Sequence, residues 1–266
     1  SDFKTQTAVA AAYSLAPEQV GPDGKIKHGT MSDAAETYRI YTYAKMFSVN
    51  REQFVNDDLG AFTEIPMRMG KAYAQMQSDN IYTHLLANGT LSDTYDLCGT
   101  DHDNYISGTD SALSSTYAVN AISAALVKFM GMTDRDGHSI SVMPKFLLVP
   151  PALNAVAQEV FKGSTLTGIS TNKSPNINIH AGSYQVITEP RLSNAGITGY
   201  SATAWYMLAD PAACETVKAF FLNGNRSPVI EQVPVAGDTL GYSWRVYGDM
   251  GVKAMDYRGI VKSAGA

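Results

Sequence analysis

The sequence predicts an α+β fold. Helical and strand patterns alternate along it, and their spacing lacks the regular βαβ rhythm of a doubly wound sheet. One amphipathic helical stretch of more than about 20 residues stands among short period-two runs. The 266 residues suffice for one large domain or two small ones. Hydrophobic residues make up 45% of the chain and charged residues 17%, which is the composition of a folded chain. So few charges leave much neutral polar surface, of the kind subunits bury against neighbours.

The first segment, Ser1 to Ala35, has no strong periodicity. It holds an alanine-rich patch (Ala8 to Ala12) and the turn-rich run from Gly21 to Gly24. It reads as an extended arm with at most a short helix. Glu36 to Val49 then alternates Tyr38, Ile40, Thr42 and Ala44 with Arg39, Tyr41, Tyr43 and Lys45. Period two with aromatic and β-branched residues predicts one long strand or a hairpin arm.

At Asn50 the signal turns helical, because Asn50 followed by Gln53 nearly matches a capping box. Asp58 is a cap for a restart. From Phe62 the apolar positions fall at Ile65, Met69, Ala72, Met76, Ile81, Leu85 and Leu86. Steps of three and four predict a helix of roughly 35 Å, starting near Pro66 and ending at Asn88-Gly89. Leu91 to Asp110 is polar and irregular. Ser111 or Ser114 can cap a helix that stops at Gly131. Phe146 to Val149 reads as a buried strand, and Pro150-Pro151 opens a helix to Phe161 that Gly163 ends. Further strands are expected at Tyr184–Thr188, Ala204–Ala209, Val217–Leu222, Ser243–Tyr247 and, interrupted by glycine, Met250–Val261.

Charge and motifs exclude several functions. The net charge is −5, with 20 basic and 25 acidic side chains, and there is no Lys/Arg run. A protein gripping phosphates carries a basic stripe, so specific nucleic-acid binding is disfavoured. No apolar run approaches the roughly 20 residues of a membrane-spanning helix. Cys98 and Cys214 form no CxxC pair and read as free thiols. Cys98 with His102 supplies half a zinc site at most. The acidic loop with Asp93, Asp96, Asp101, Asp103 and Asp110 lacks EF-hand spacing. Gly137-His138-Ser139-Ile140-Ser141 has Ser141 where a nucleophile elbow needs its second glycine. Asp57 and Asp58 are adjacent, so they serve as caps better than as an acid/base pair. No catalytic, cofactor or metal residue is assigned.

The run from Phe47 to Phe62, with Asn50-Arg51-Glu52 and Asn56-Asp57-Asp58-Leu59-Gly60, resembles a stretch of Mu-like phage major head subunits. Further motifs of that family follow in order. They are Phe146 to Leu153, Trp205 to Pro211, Phe221-Leu222-Asn223-Gly224 with Pro228, Asp249-Met250-Gly251, and Asp256-Tyr257-Arg258-Gly259. Met250 and Tyr257 replace the usual aromatic residues of the family, and both keep bulk.

The resemblance implies a tailed-phage major capsid fold of the Hong Kong ninety-seven kind and no enzyme. Its parts would be an N-terminal arm (1–35), an extended-loop strand (36–49), a peripheral domain with a long spine helix (50–142), an axial domain (143–235) and returning peripheral strands (236–266). It also implies hexamers and pentamers of the chain that enclose DNA without binding it specifically. Decoration, portal, scaffold or protease proteins are possible partners. The chain would assemble in the host cytoplasm and end in the virion. Such subunits are often fused downstream of a prohead protease, and the start at Ser1 without Met then has two readings, an artificial boundary or a maturation cleavage. Rigid aromatic side chains anchor interfaces, so Tyr38, Tyr41, Tyr43 and Phe47 are the expected inter-subunit contacts. Two rival readings are an encapsulin-like nanocompartment shell, holding cargo in place of DNA, and a hydrolase with a scattered site.

Overall fold

A computed structural model describes residues 2–14, 30–56, 61–108, 111–114, 118–134, 137–162, 178, 180–234 and 240–265. The expected caps at Asp57 and Asp58, the Gly21–Gly24 turn and the helix stop at Gly163 lie outside the described residues.

In chain order the strands are β1 (Gln6–Ser14), β2 (Thr30–Tyr38), β3 (Tyr41–Asn50), β4 (Tyr105–Ile106), β5 (Pro144–Val149), β6 (Gln185–Thr188), β7 (Trp205–Ala209), β8 (Val217–Phe221), β9 (Val229–Val233), β10 (Gly241–Ala254) and β11 (Ile260–Ser263). The helices are α1 (Arg51–Val55), α2 (Ile65–Ala87), α3 (Ala118–Met130) and α4 (Asn154–Lys162). The mixture of helices and strands is the α+β class expected. Three strand expectations change. The arm contains β1 and most of β2, which form a two-stranded sheet. The tyrosine-rich run is split, with β2 ending at Tyr38 and β3 starting at Tyr41. Met250–Val261 is not one strand: Gly251 stays inside β10, and the break falls between Ala254 and Ile260.

The chain divides into two compact units. The first comprises Ser1–Gln6, Thr37–Thr83 and Lys218–Lys253; the second comprises Thr7–Glu36, His84–Val217 and Ala254–Ala266. This partition differs from the expected domain limits. Residues 84–142 join the second unit, 218–235 join the first, and the last strand returns to the second.

The first unit is a sheet ordered β3-β10-β8, with β9 also paired to β10. β3 and β10 run antiparallel without a register shift, from Gly241 opposite Asn50 to Met250 opposite Tyr41. Side chains alternate across a strand, so one face carries Trp244, Val246, Gly248 and Met250. Ile65, Met69 and Tyr73 of α2 pack with Val49 and Val246, joined by Tyr43, Phe54, Phe62, Met76 and Trp244. Gly248 makes room for Tyr73: a Cβ there would lie 2.2 Å from the Tyr73 hydroxyl oxygen. The expected positions Ile65, Met69, Leu85 and Leu86 are buried, and only at Ala72 does the buried place fall one position later, on Tyr73. The opposite face is polar. Thr42 donates to Asp249 at 2.6 Å, Ser48 and Ser243 share a hydrogen bond of 2.8 Å, and Arg245 pairs with Glu231.

The second unit holds a five-stranded sheet ordered β4-β11-β7-β5-β6. β5 and β6 are parallel, linked through α4, and β7 runs antiparallel to both β5 and β11. Its core combines Ile122, Ala125 and Phe129 of α3, Val160 and Phe161 of α4, and Leu147, Trp205, Met207 and Val261 of the sheet.

Candidate assembly surface

The four aromatic residues expected at an interface divide into two pairs. Tyr38 stacks on Phe220 with ring centres 3.6 Å apart, and its hydroxyl donates to Gln6 Oε1 at 2.7 Å. Tyr43 is half-buried and packs on the α2 cluster. Both are therefore engaged within their own unit. Tyr41 and Phe47 are exposed, at 54% and 44%. Met46 beside Phe47 is 61% exposed, a position the period-two reading did not single out. Tyr41 carries the Arg39 guanidinium 5.4 Å from its ring centre. Among the described residues β3 pairs only with β10. Its free edge presents these side chains.

Beside that edge an apolar groove of about 290 Å³ opens between β3 and α2. It is lined by Tyr43, Lys45, Met69, Tyr73, Met76 and Val246. Burial pushes the Tyr73 hydroxyl above the ordinary tyrosine range; the Gln77 hydrogen bond opposes this and the nearby Asp249 charge adds to it. Tyr73 is thus neutral at physiological pH, and the groove's charge comes from Lys45.

The motifs behind the resemblance sit at structural joints. Asn50 N–H donates to Gln53 Oε1 at 3.3 Å, so the expected box opens α1. Asp249 accepts from Thr42, Met250 is fully buried, and a Cβ at Gly251 would lie 2.3 Å from the Arg39 carbonyl oxygen. Asn80 reaches the Met250 sulfur at 3.8 Å, so the bulk of methionine fills the place. In the second unit the Trp205 indole donates to the Ser111 carbonyl at 2.8 Å. Asp210 pairs with Lys145 at 2.5 Å and receives Ala212 N–H, and the lysine's hydrogen bond holds its carboxyl below the usual range. Asn223 and Gly224 take positive φ, 51° and 75°, where the chain turns sharply after β8. Tyr257 stacks on His102 at 3.8 Å, Arg258 donates to the Thr133 carbonyl, and a Cβ at Gly259 would lie 2.2 Å from Thr216 Oγ1.

The candidate chemical groups are likewise held in structure. His102 Nδ1 lies 2.8 Å from the Asp96 carbonyl and Nε2 lies 2.8 Å from Asp93 Oδ2, which fastens the acidic loop. Burial pushes the Cys98 thiol up to about 12, so it is protonated at neutral pH. Among the described residues no group of three or more His, Cys, Asp or Glu could hold a metal ion. His138 and Ser139 lie in an exposed turn, with His138 N–H donating to Asp134. One pair escaped the sequence reading. Ser123 Oγ and His180 Nε2 are 3.1 Å apart, linking α3 to a turn before β6. Burial lowers the His180 pKa, against a raising hydrogen bond that the ring donates to the Val119 backbone. No spacing signal could have joined positions 57 residues apart. No helix among the described residues is long and apolar enough to cross a membrane.

A mixed-sheet unit, a long-helix unit and a two-stranded arm together define the fold class of tailed-phage capsid subunits. Solved structures agree. The chain superposes on the "Capsid structure of the Cyanophage P-SCSP1u" with a TM-score of 0.66 at 11% identity, covering 100% of this chain and 84% of that one. For the "Asymmetric unit of bacteriophage PhiM1 mature capsid" the TM-score is 0.64 at 9% identity, covering 97% and 81%. For "The capsid of Myoviridae Phage XM1" it is 0.58 at 12% identity, covering 98% and 86%. A comparison with curated proteins found no match. The phage capsid protein family matches residues 34–263, and the chain belongs to it. It is a major capsid protein of a phage head: a structural protein of the virion that works in a multi-subunit shell.

Proposed function

We propose that the chain closes an icosahedral shell as hexamers and pentamers around phage DNA, and that it performs no catalysis. In this reading the first unit is the peripheral domain and the second the axial domain, whose copies converge at the capsomer centre. The two-stranded arm of β1 and β2 takes the part expected of the tyrosine-rich strand and lies across the next subunit. Tyr41 and Phe47 remain the inter-subunit contacts, while Tyr38 and Tyr43 support them from within.

One observation carries the reading. Ten of the fifteen exposed large apolar side chains among the described residues belong to the first unit, the smaller of the two. Apolar side chains concentrated on one unit are of the kind that subunits bury against neighbours. The acidic charge balance suits a wall that encloses DNA and does not hold it. Assembly in the host cytoplasm, with scaffold or protease, portal and decoration proteins joining, completes the proposal.

Electron microscopy of purified particles tests it. Closed icosahedral shells of this chain with DNA inside are the expected result. Shells filled with protein cargo would favour a nanocompartment, and a chain that stays monomeric at high concentration under every condition would overturn the proposal.

A further inference from the structure

We infer that the open edge of β3 is a self-pairing edge, at which two copies of the chain join their sheets antiparallel about Met46. The shell reading supplies the second copy; nothing else in the inference depends on it.

Edge strands that are not meant to pair carry protection, such as prolines, inward charges, bulges or short length. β3 has almost none. It is ten residues long and contains neither Pro nor Asp nor Glu. Its register with β10 has no bulge. Eight of its ten residues are exposed, including Tyr41, Met46 and Phe47. Lys45 is its one charge.

The strand is also complementary to itself. In an antiparallel pair centred on Met46, Lys45 faces Phe47 of the other copy, Tyr43 faces Val49 and Ala44 faces Ser48. Opposite residues share a face, so both Lys45–Phe47 and Tyr43–Val49 pairs lie on the α2 side. A cation beside an aromatic ring and an aromatic beside a β-branched residue are favourable neighbours. Centring on Lys45 instead would set the two like charges opposite each other. Centring on Phe47 would leave fewer residues paired.

The groove fits this arrangement. It opens on the α2 side next to the free edge, and Tyr43, Met69, Tyr73 and Met76 make it apolar. The incoming Phe47 arrives at Lys45, on the rim. Two-fold symmetry repeats the contact, so one surface supplies both the ring and its seat.

The test is Met46→Cys in the full chain, oxidised and run on a non-reducing gel. Met46 is exposed, so the substitution spares the core. At a two-fold centre the new thiols meet their own copies, and a covalent dimer is expected as the main species. Wild type controls for Cys98 and Cys214. Thr42→Cys controls for chance encounters, because Thr42 would face Asn50. Dimer from Met46→Cys no greater than from Thr42→Cys overturns the inference. Phe47→Asp should lower particle yield about tenfold while the circular dichroism of the subunit is unchanged; wild-type yield would overturn the role of the groove. The two readings fail separately. Particles with unlinked Met46→Cys remove the edge pairing and leave the shell. Linked dimers from a chain that never forms particles remove the shell and leave the pairing.

Discussion

The two units bury their apolar residues very differently. The first holds seven of the thirty-six buried apolar residues among the described part, and the second holds twenty-nine. The exposed large apolar side chains run the other way, ten against five. Formal charge also differs: the first unit has ten basic and nine acidic residues, the second ten and sixteen. The second unit is therefore built to stand by its own core and to repel its surroundings. The first is near neutral and leaves more apolar surface open, which neighbouring copies would cover in the proposed shell.

The largest effect that separates them is expected at Trp205. It is fully buried, and its indole is bonded to Ser111. Trp205→Ala should cost about 3–5 kcal/mol of stability, read by thermal or denaturant unfolding of the subunit. Tyr41→Ala in the first unit should shift subunit stability by less than about 0.5 kcal/mol, yet slow assembly followed by light scattering. Equal losses at the two sites would break the contrast.

Gly251→Ala tests the thinner unit from inside. The new Cβ meets the Arg39 carbonyl oxygen, which is backbone and cannot swing away. A loss of about 1–3 kcal/mol is expected in the same unfolding assay. Gly89→Ala, where nothing lies within 4 Å, is the matched control.

The thiols sharpen the picture of the second unit. Burial raises Cys98 and Cys214 from 9.0 to about 12, and for Cys214 the Asp256 charge adds to it. The folded state thus binds these protons more tightly than the unfolded state. Their contribution is complete below about pH 9 and is lost as pH climbs toward 12. Unfolding midpoints should fall across that window, and Cys98→Ala should flatten the fall. A thiol reagent at pH 8 should label Cys98 only on unfolding. The smallest effect belongs to Tyr206→Phe. The Tyr206 hydroxyl is buried with no hydrogen-bond partner among the described residues. Its removal should be neutral or stabilise by up to about 1 kcal/mol, as measured by the melting temperature.

Local pattern made the helices and most strands legible. The three-four spacing after Phe62 found α2, and the apolar run after Pro144 found β5. What stayed hidden depends on partners distant in sequence. Tyr73 is core because Gly248, 175 positions later, leaves space for it, and no window along the helix contains that fact. Ala8 to Ala12 offers no contrast between faces, so β1 carries no period-two signal. The partition into compact units could not be read from local pattern, because β10 and β11 are separated only by the short turn through Gly259, yet almost all of β10 belongs to one unit and β11 to the other. Exposure of the four aromatic residues was only partly legible. Aromatic composition pointed to Tyr38, Tyr41, Tyr43 and Phe47 alike, and only the fold tells the exposed pair, Tyr41 and Phe47, from the packed pair.

β11 has a consequence in time. It follows every other strand in the chain, yet it lies inside its sheet, between β4 and β7. Lys262 N–H bonds to the Asn104 carbonyl, and Ser263 Oγ bonds to the same Ser111 carbonyl that holds Trp205. A nascent chain cannot close this sheet before residue 263 has left the ribosome, however long its earlier segments have waited. Such distant pairings fold slowly. Prematurely terminated chains would therefore lack a finished second unit, and the growing shell would be spared subunits that were never completed.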